Sequence, residues 1–139
     1  MGRINQSVRI GRIVYLVLAI IFALSIATQI LFAGMAIFIN PVNWMKHMIF
    51  VHLFGFNIPI FMLAFAFIGA LPRWAYGQLF GTLILMFFMY FTANMTTILP
   101  WFGAMHPLFG VLLVVLSCTM VLKIWKFTFD HKKNQMGEA

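Results

Sequence analysis

Charged side chains are scarce in this chain, and acidic side chains are almost absent. Only 8% of the 139 residues are charged, and the two acidic residues, Asp130 and Glu138, both lie close to the C-terminus. A soluble domain averages about 25% charged residues, so this sequence cannot surround a folded core with a surface compatible with water. The lack of carboxylates elsewhere excludes a Ser/His/Asp catalytic constellation and leaves acid–base chemistry to histidines alone.

Cysteine occurs once, at position 118, which excludes an internal disulfide, a zinc finger and a CxxCH haem-attachment motif. The net charge of +7 raises the question of a nucleic-acid partner, but the basic residues are gathered near the ends of the chain. This placement is typical of membrane topology rather than of a nucleic-acid-binding surface, so we predict no nucleic-acid partner.

Hydrophobic residues are abundant, at 64% of the chain. Four apolar stretches are long enough to cross about 30 Å of hydrocarbon, which takes roughly 20 helical residues. These four spans are expected at residues 13–39, 48–71, 78–99 and 107–124, with segments typical of turns between them. We predict a single all-α membrane domain, an up-down-up-down bundle of four transmembrane helices, followed by a loose cytoplasmic tail over residues 127–139.

Basic residues predict the orientation of this bundle. Eight of the nine lysines and arginines lie at the N-terminus, in the loop after the second span or at the C-terminus, and only Lys46 lies on the other side. Because basic loops remain in the cytoplasm, both termini are expected to be cytoplasmic. The first span is interpreted as a retained helix rather than as a signal peptide.

Strongly polar side chains gather in the outer halves of the four spans. Gln29 lies in the outer half of the first span and Asn94 in that of the third, while histidines lie where the second and fourth spans begin. A polar group inside a bilayer is costly unless it is paired, and it usually faces the interior of the bundle or a water-filled cavity. The shared layer therefore predicts one pocket near the outer face.

The histidines of this layer suggest a haem site. His52 and His106 precede the basic residues at the inner boundary by similar numbers of residues, so at about 1.5 Å per residue they reach similar depths. His47 lies further out. Two imidazoles that face each other can bind both axial positions of a haem iron. On depth, His52 ranks ahead of His47 as the partner of His106.

Neighbouring residues would complete this site. Gly55 and Gly110 lie on the helix faces of the ligands and leave room for a flat macrocycle, and Lys46 is the outer cation that could meet the propionates. Gln29 or Asn94 could hold an imidazole N–H or a propionate in place. The same pocket could instead hold a quinone, a lipid or a hydrophobic small molecule, or the chain could be a structural partner subunit. A metal site made of the histidines alone is poorly supported, because carboxylates and thiolates are missing.

Three short motifs carry a resemblance to known membrane proteins. A glutamine followed by small residues lies on the first span at Gln29–Gly34, Trp-x-x-His opens the second at Trp44–His47, and His-Pro opens the fourth at His106–Pro107. In these motifs the chain resembles an uncharacterised family of small four-helix bacterial membrane proteins, and its histidine placement resembles one half-bundle of haem A synthase. The resemblance implies a bacterial plasma-membrane protein in which His47, rather than His52, is the ligand of the second span.

The expected function is that of a haem b-binding, cytochrome-like protein in electron transfer or haem handling at the outer face of the membrane. A redox or haem-handling membrane protein is the expected partner. The two-half construction of haem A synthase makes a homodimer plausible, and the GxxxG pattern at Gly77 and Gly81 offers one close-packing surface. The chain lacks the outer glutamate and cysteine pair of haem A synthase, so the resemblance supports haem binding and not hydroxylation chemistry.

Overall fold

The computed structural model describes residues 5–136, and it describes side chains for residues 5–129. This part of the chain is entirely helical apart from short turns. The helices are α1 (Gln6–Phe38), α2 (Asn43–Phe54), α3 (Asn57–Ile68), α4 (Arg73–Met95) and α5 (Pro100–Met136). Four helical segments are long and apolar enough to cross a membrane, with α2 and α3 together forming the second. The prediction of an all-α chain with four segments long and apolar enough to cross a membrane is therefore confirmed, and the four apolar helices suggest a multi-pass membrane protein.

Each span packs against the spans that precede and follow it, and the last returns to the first. Backbone contacts join α1 to α2, α3 and α5, and they join α4 to α3 and α5. Paired residues run in opposite directions along α4 and α5, since Gln78 is bonded to Thr119 whereas Thr92 is bonded to His106. The spans therefore form an antiparallel ring of four.

The bundle has two chemically different ends, which we name for their side chains. At the basic end, the start of α1, the turn 69–72 and residues 123–129 of α5 come together, because Arg12 Nε donates to the Gly69 carbonyl at 3.0 Å and its guanidinium lies 4.6 Å from the centre of the Phe127 ring. At the histidine end, the turn after α1 and the start of α2 lie opposite the end of α4 and the start of α5. His47 and His106 belong to this second end.

The start of α1 and the end of α3 approach each other closely at the basic end. A Cβ atom placed on Gly11 would lie 2.5 Å from the Gly69 nitrogen, so only glycine allows α1 and α3 this distance. The turn that follows α3 is closed by Ala70, which has a φ of 46°, and by a bond from the Leu71 N–H to the Ala66 carbonyl at 3.0 Å. This is the usual geometry of a helix that ends in a left-handed residue.

Large apolar side chains cover the outside of the bundle. Phe38 and Trp101 are 85% and 86% exposed, whereas Tyr15 and Phe22 are fully buried. An apolar exterior of this kind matches a hydrocarbon environment better than water. Within the GxxxG pattern, a Cβ on Gly81 would lie 3.3 Å from the Leu116 side chain of α5. Part of the surface that was expected to pack in a homodimer therefore packs against α5 of the same chain.

The second span is broken between α2 and α3, a feature that hydropathy did not predict. Pro59 has no N–H to donate to the carbonyl of Gly55, and its ring crowds that carbonyl, so the helix is interrupted about one turn before the proline. The Asn57 side chain donates to the Leu53 carbonyl at 2.8 Å and satisfies part of the interrupted ladder. The break lies just after His52 and therefore within reach of the histidine end.

Helix limits also differ from the predicted ones. α1 begins at Gln6, where the Asn5 side chain accepts from the Ser7 N–H at 3.2 Å. α5 begins at Pro100, so Pro107 lies inside a helix instead of in its first turn, and the expected connection before His106 is helical. The backbone also remains helical to Met136, through most of the expected loose tail, because no glycine or proline interrupts it there.

Candidate functional site

Two reciprocal hydrogen bonds join α1 to α2 at the histidine end. Gln29 Nε2 donates to the His47 carbonyl at 2.6 Å, and His47 Nδ1 lies 3.0 Å from the Gln29 carbonyl. Because a carbonyl can only accept, the proton of a neutral His47 imidazole lies on Nδ1. Its Nε2 therefore carries a lone pair, and this atom has no hydrogen-bond partner within residues 5–129.

His106 has the same arrangement on the opposite pair of helices. Its Nδ1 lies 3.1 Å from the Met89 carbonyl and 3.2 Å from the Thr92 hydroxyl. The Thr92 hydroxyl donates its proton to the Phe88 carbonyl at 2.7 Å, which leaves its oxygen able to accept. His106 Nδ1 therefore donates to α4, and its Nε2 keeps the lone pair.

The two half-buried imidazoles lie near enough to each other that a charge on one ring would act on the other. His47 belongs to the α1–α2 side of the bundle and His106 to the α4–α5 side. Within residues 5–136, no Cα atom of α2 lies within 8 Å of a Cα atom of α4 or α5. At the histidine end, α2 therefore contacts α4 and α5 through side chains and not through close packing of the backbones.

Gln29 contributes a further acceptor to this end. The residue is only 6% exposed, and its Oε1 has no hydrogen-bond partner in the described part of the chain. A buried carbonyl oxygen without a partner costs about 1–3 kcal/mol, and such a group in a folded protein calls for an explanation. The histidine end thus holds three acceptors, Gln29 Oε1 and the Nε2 atoms of His47 and His106.

His52 lies apart from this pair. Its side chain is exposed, its Nδ1 is 2.7 Å from the Met48 carbonyl of its own helix, and its ring stands edge-on to Tyr90 at 5.4 Å between centres. His47 and His52 are five residues apart and so point in directions about 140° apart around α2. The contacts of the described residues therefore place His47 nearer to His106 than the residue ranked first on depth, whose side chain is exposed beside Tyr90.

Two other polar residues that were expected to support the haem site, Asn94 and Lys46, are not bonded to His47 or His106 among the described residues. Asn94 is exposed, and its Nδ2 donates to the Tyr90 carbonyl of its own helix at 2.8 Å. Lys46 is exposed on α2, next to His47 in sequence, and makes no hydrogen bond to the histidines within the described residues. Among the polar residues named for support, Gln29 alone is bonded to a histidine in this part of the chain.

The two glycines expected to make room for a macrocycle have packed neighbours. A Cβ on Gly55 would lie 2.7 Å from Met86 Cε and 3.1 Å from the Tyr90 hydroxyl, and a Cβ on Gly110 would lie 3.7 Å from Met89 Cε. The space beside Gly55 is therefore filled by a methionine and a tyrosine, and the space beside Gly110 by a methionine. Since methionine side chains are flexible, they are the parts of this region that can move most easily.

Sequence reasoning missed Tyr90, which connects α4 to α2. Its hydroxyl donates to the Val51 carbonyl at 3.1 Å, and its ring stacks on Phe56 with 5.3 Å between centres. The Val51 carbonyl also accepts from the Gly55 N–H at 2.8 Å. Tyr90 therefore packs directly beside the break in the second span.

Thr92 was missed as well, although a signal for it exists. Thr92 follows Gln78 by two heptads, and residues at that spacing lie on the same helix face. Gln78 donates to Thr119 of α5 at 3.4 Å, and Thr92 bonds to His106 of the same helix. A search of the third span at seven-residue spacing would have selected Thr92, whereas Asn94 lies two residues further on a different face.

The histidine end offers two imidazoles, and this suits a metal centre that takes few ligands from the protein. The residues described include no group of three or more histidine, cysteine, aspartate or glutamate side chains that could hold a metal ion. A haem iron needs only axial ligands from the protein, and histidine is a common one. Each of the two imidazoles leaves its Nε2 without a hydrogen-bond partner within residues 5–129, and in both rings the other nitrogen is held by a backbone carbonyl, as is usual for metal-binding histidines.

Comparison with known proteins adds one family. Residues 29–97 match the model of a family described as a family of unknown function, DUF6220. The matched segment is just under half of the chain, and it includes Gln29, His47 and Thr92 but not His106. No curated protein and no solved structure matches the chain significantly. None of these comparisons connects the chain with haem A synthase or with a b-type cytochrome.

Proposed function

We propose that this chain binds haem b at the histidine end, with the Nε2 atoms of His47 and His106 as axial ligands. The observation that carries the proposal is that both imidazoles have the same tautomer and the same kind of hydrogen-bond partner. Each Nδ1 faces a backbone carbonyl of a neighbouring helix, so each Nε2 has a free lone pair, and the rings lie within electrostatic range of one another across the bundle. Ligand rings prepared in this way lose little freedom when iron binds.

The surroundings supply apolar walls on both sides of the proposed site. Phe32 and Phe50 pack edge to face between α1 and α2, and Phe88 and Phe109 stack between α4 and α5. Within residues 5–129, α2 is connected to α4 by side chains such as Tyr90. Rotamer changes could therefore admit a flat ring without breaking backbone hydrogen bonds. Bound haem would supply one-electron chemistry, while the chain would orient the imidazoles and exclude water.

The proposed role is electron transfer or haem handling at the outer face of a bacterial plasma membrane. The excess of basic residues at the opposite end of the bundle supports an orientation with both termini in the cytoplasm. The histidine end would then lie near the extracytoplasmic surface, where a redox partner or a haem-handling membrane protein would reach it. The bacterial location rests on the resemblance to four-helix bacterial membrane proteins.

A visible spectrum of the purified protein tests haem binding. Protein from haem-replete cells should show a Soret band and, after reduction, an α-band, and both should be lost in His47→Ala and His106→Ala. His52→Ala is the matched control on the same helix, and it should keep both bands because the ring of His52 is turned away from the pair. Thermal unfolding of each variant in detergent checks that it is folded.

Two outcomes would overturn parts of the proposal. A folded wild-type protein that acquires no Soret band even when it is titrated with haem would refute haem binding. Bands that survive in His47→Ala but vanish in His52→Ala would instead refute the assignment of the ligand on α2.

A hydroxyl-bearing small molecule such as a hydroquinone is the second candidate for the same site. The unpartnered Gln29 Oε1 favours it, since this atom accepts hydrogen bonds and a hydroquinone donates them. An oxidised quinone presents only acceptors and fits the three acceptor atoms less well. Solvent extraction and mass spectrometry of the folded protein would decide for this candidate if they showed such a molecule and no iron.

A further inference from the structure

The basic end carries positive charge that the chain itself does not balance. Five basic side chains lie there among the described residues, and the only acidic residues of the whole sequence are Asp130 and Glu138, whose side chains lie outside those described. Even if both carboxylates paired with basic residues, a positive excess would remain. The five cations are Arg9, Arg12, Arg73, Lys123 and Lys126.

Arg12 is held in position at the centre of this cluster. It is half-buried, its Nε donates to the Gly69 carbonyl at 3.0 Å, and its guanidinium carbon lies 4.6 Å from the centre of the Phe127 ring. These contacts fix the side chain between α1, the turn after α3, and α5. Its two terminal amino groups have no hydrogen-bond partner within residues 5–129. A fixed guanidinium with free terminal N–H groups is well suited to a phosphate, which it can bind through two parallel hydrogen bonds.

An aromatic pair connects Arg12 to a second cation. The Phe127 ring stands edge-on to Trp74 with 6.1 Å between centres, and Lys123 Nζ lies 5.8 Å from the centre of the Trp74 ring. Tryptophan is enriched where membrane proteins meet the interface between hydrocarbon and water. Because the four spans are long and apolar enough to cross a bilayer, this group of aromatic and basic residues would lie at the level of the lipid headgroups.

Apolar side chains are exposed on the neighbouring surface. Ile13 and Val17 of α1 are 38% and 47% exposed, and Leu122 of α5 is 62% exposed. Ile13 and Val17 follow Arg12 in α1 and Leu122 precedes Lys123 in α5, so all three lie on the side of these cations that faces the middle of the bundle. A ligand that matches both features has an anionic group at the level of Arg12 and hydrocarbon chains along the adjacent helix surface.

We propose that the basic end binds the phosphate of an anionic phospholipid, with Arg12 as the main ligand and Lys123 as an additional cation. The surrounding positive charge favours a headgroup with a net negative charge, because a zwitterionic headgroup brings an ammonium group that the cluster would repel. This site lies at the opposite end of the bundle from the histidines, and it does not depend on haem binding.

Native mass spectrometry of the full-length protein released from detergent micelles tests this site. Phosphatidylglycerol and phosphatidylcholine with identical acyl chains serve as probes, and the wild-type chain should retain phosphatidylglycerol preferentially. Arg12→Gln should lower that affinity about fivefold, on the basis of about 1 kcal/mol per basic residue near an anionic surface. Lys46→Gln is the matched control, since it removes a cation from the histidine end, and it should leave the retention of phosphatidylglycerol unchanged.

Equal retention of the two lipids by the wild-type protein would overturn the proposal. A loss of phosphatidylglycerol in Lys46→Gln as large as that in Arg12→Gln would also overturn it. Displacement of the lipid by millimolar inorganic phosphate would assign the site to free phosphate and overturn it too. If Arg12→Gln does not fold because the bond to Gly69 is lost, Lys123→Gln decides. A severalfold loss of phosphatidylglycerol in that variant supports the proposal, and unchanged retention refutes it.

Discussion

Replacement of Gln29 by leucine would separate the contribution of this residue to stability from its contribution to the histidine pair. The Gln29 amide is 6% exposed, its Nε2 donates to the His47 carbonyl at 2.6 Å, and its Oε1 has no partner in the part of the chain that the structure describes. Leucine is close to glutamine in helix propensity. The substitution therefore changes polarity far more than local backbone preference.

Two effects of opposite sign determine the change in the free energy of unfolding. Loss of the Nε2 hydrogen bond costs about 0.5–1.5 kcal/mol, and the His47 carbonyl still accepts from the Val51 N–H within α2. Removal of the unpartnered oxygen relieves about 1–3 kcal/mol. We expect Gln29→Leu to stabilise the ligand-free protein by about 1 kcal/mol. The backbone carbonyl of residue 29 still accepts from His47 Nδ1 after the change. Haem binding should therefore weaken by about tenfold at most, through loss of the side-chain bond that fixes the His47 backbone.

Unfolding in mixed micelles with rising dodecyl sulfate gives the stability, and a haem titration followed at the Soret band gives the affinity. Gln78→Leu is the matched control, since Gln78 also has a buried oxygen with no partner among the described residues but lies on the α4–α5 contact away from the histidines. It should gain stability without losing haem affinity. Destabilisation of the protein by more than about 1 kcal/mol in Gln29→Leu would contradict the assigned cost of the unpartnered oxygen. An equal loss of haem affinity in Gln78→Leu would contradict a specific role for Gln29.

Two further predictions concern packing and orientation. Gly11→Ala would place a Cβ 2.5 Å from the Gly69 nitrogen, so α1 and α3 must separate, and the free energy of unfolding should fall by about 1–3 kcal/mol. Gly34→Ala, which meets no atom within 4 Å, should be neutral, and equal unfolding curves for the two variants would contradict the close approach. A C-terminal fluorescent protein that matures only in the cytoplasm should light up in cells, and a dark fusion of normal abundance would reverse the proposed orientation.

The number of spans was predictable because hydropathy is a sum over neighbouring residues. A stretch such as 48–71 is apolar enough to be recognised without knowledge of its surroundings. The interruption at Gly55 was not recognised, although Pro59 is visible in the sequence. Proline is tolerated in membrane helices when other groups satisfy the freed carbonyls, and the Asn57 side chain that does so here became visible only with the fold.

The choice between His47 and His52 shows where sequence reasoning from depth stops. Distance along a helix follows from residue number, and on that measure His52 matched His106 better. Rotation about the helix axis depends on which neighbour the helix packs against. Gln29 of α1 bonds to His47, and this contact turns His47 towards the bundle and leaves His52 exposed beside Tyr90.

The amino-acid sequence by itself determined that this chain is helical, that it has four segments long and apolar enough to span a membrane, and that His47 and His106 lie at the opposite end from most of the basic residues. These properties depend on hydrophobicity and charge summed over local segments. Only the tertiary structure showed that Gln29 bonds to His47, that Thr92 bonds to His106, and that the terminal N–H groups of Arg12 have no hydrogen-bond partner within residues 5–129. Those facts depend on helix rotation and register, which are set by contacts between residues far apart in the chain.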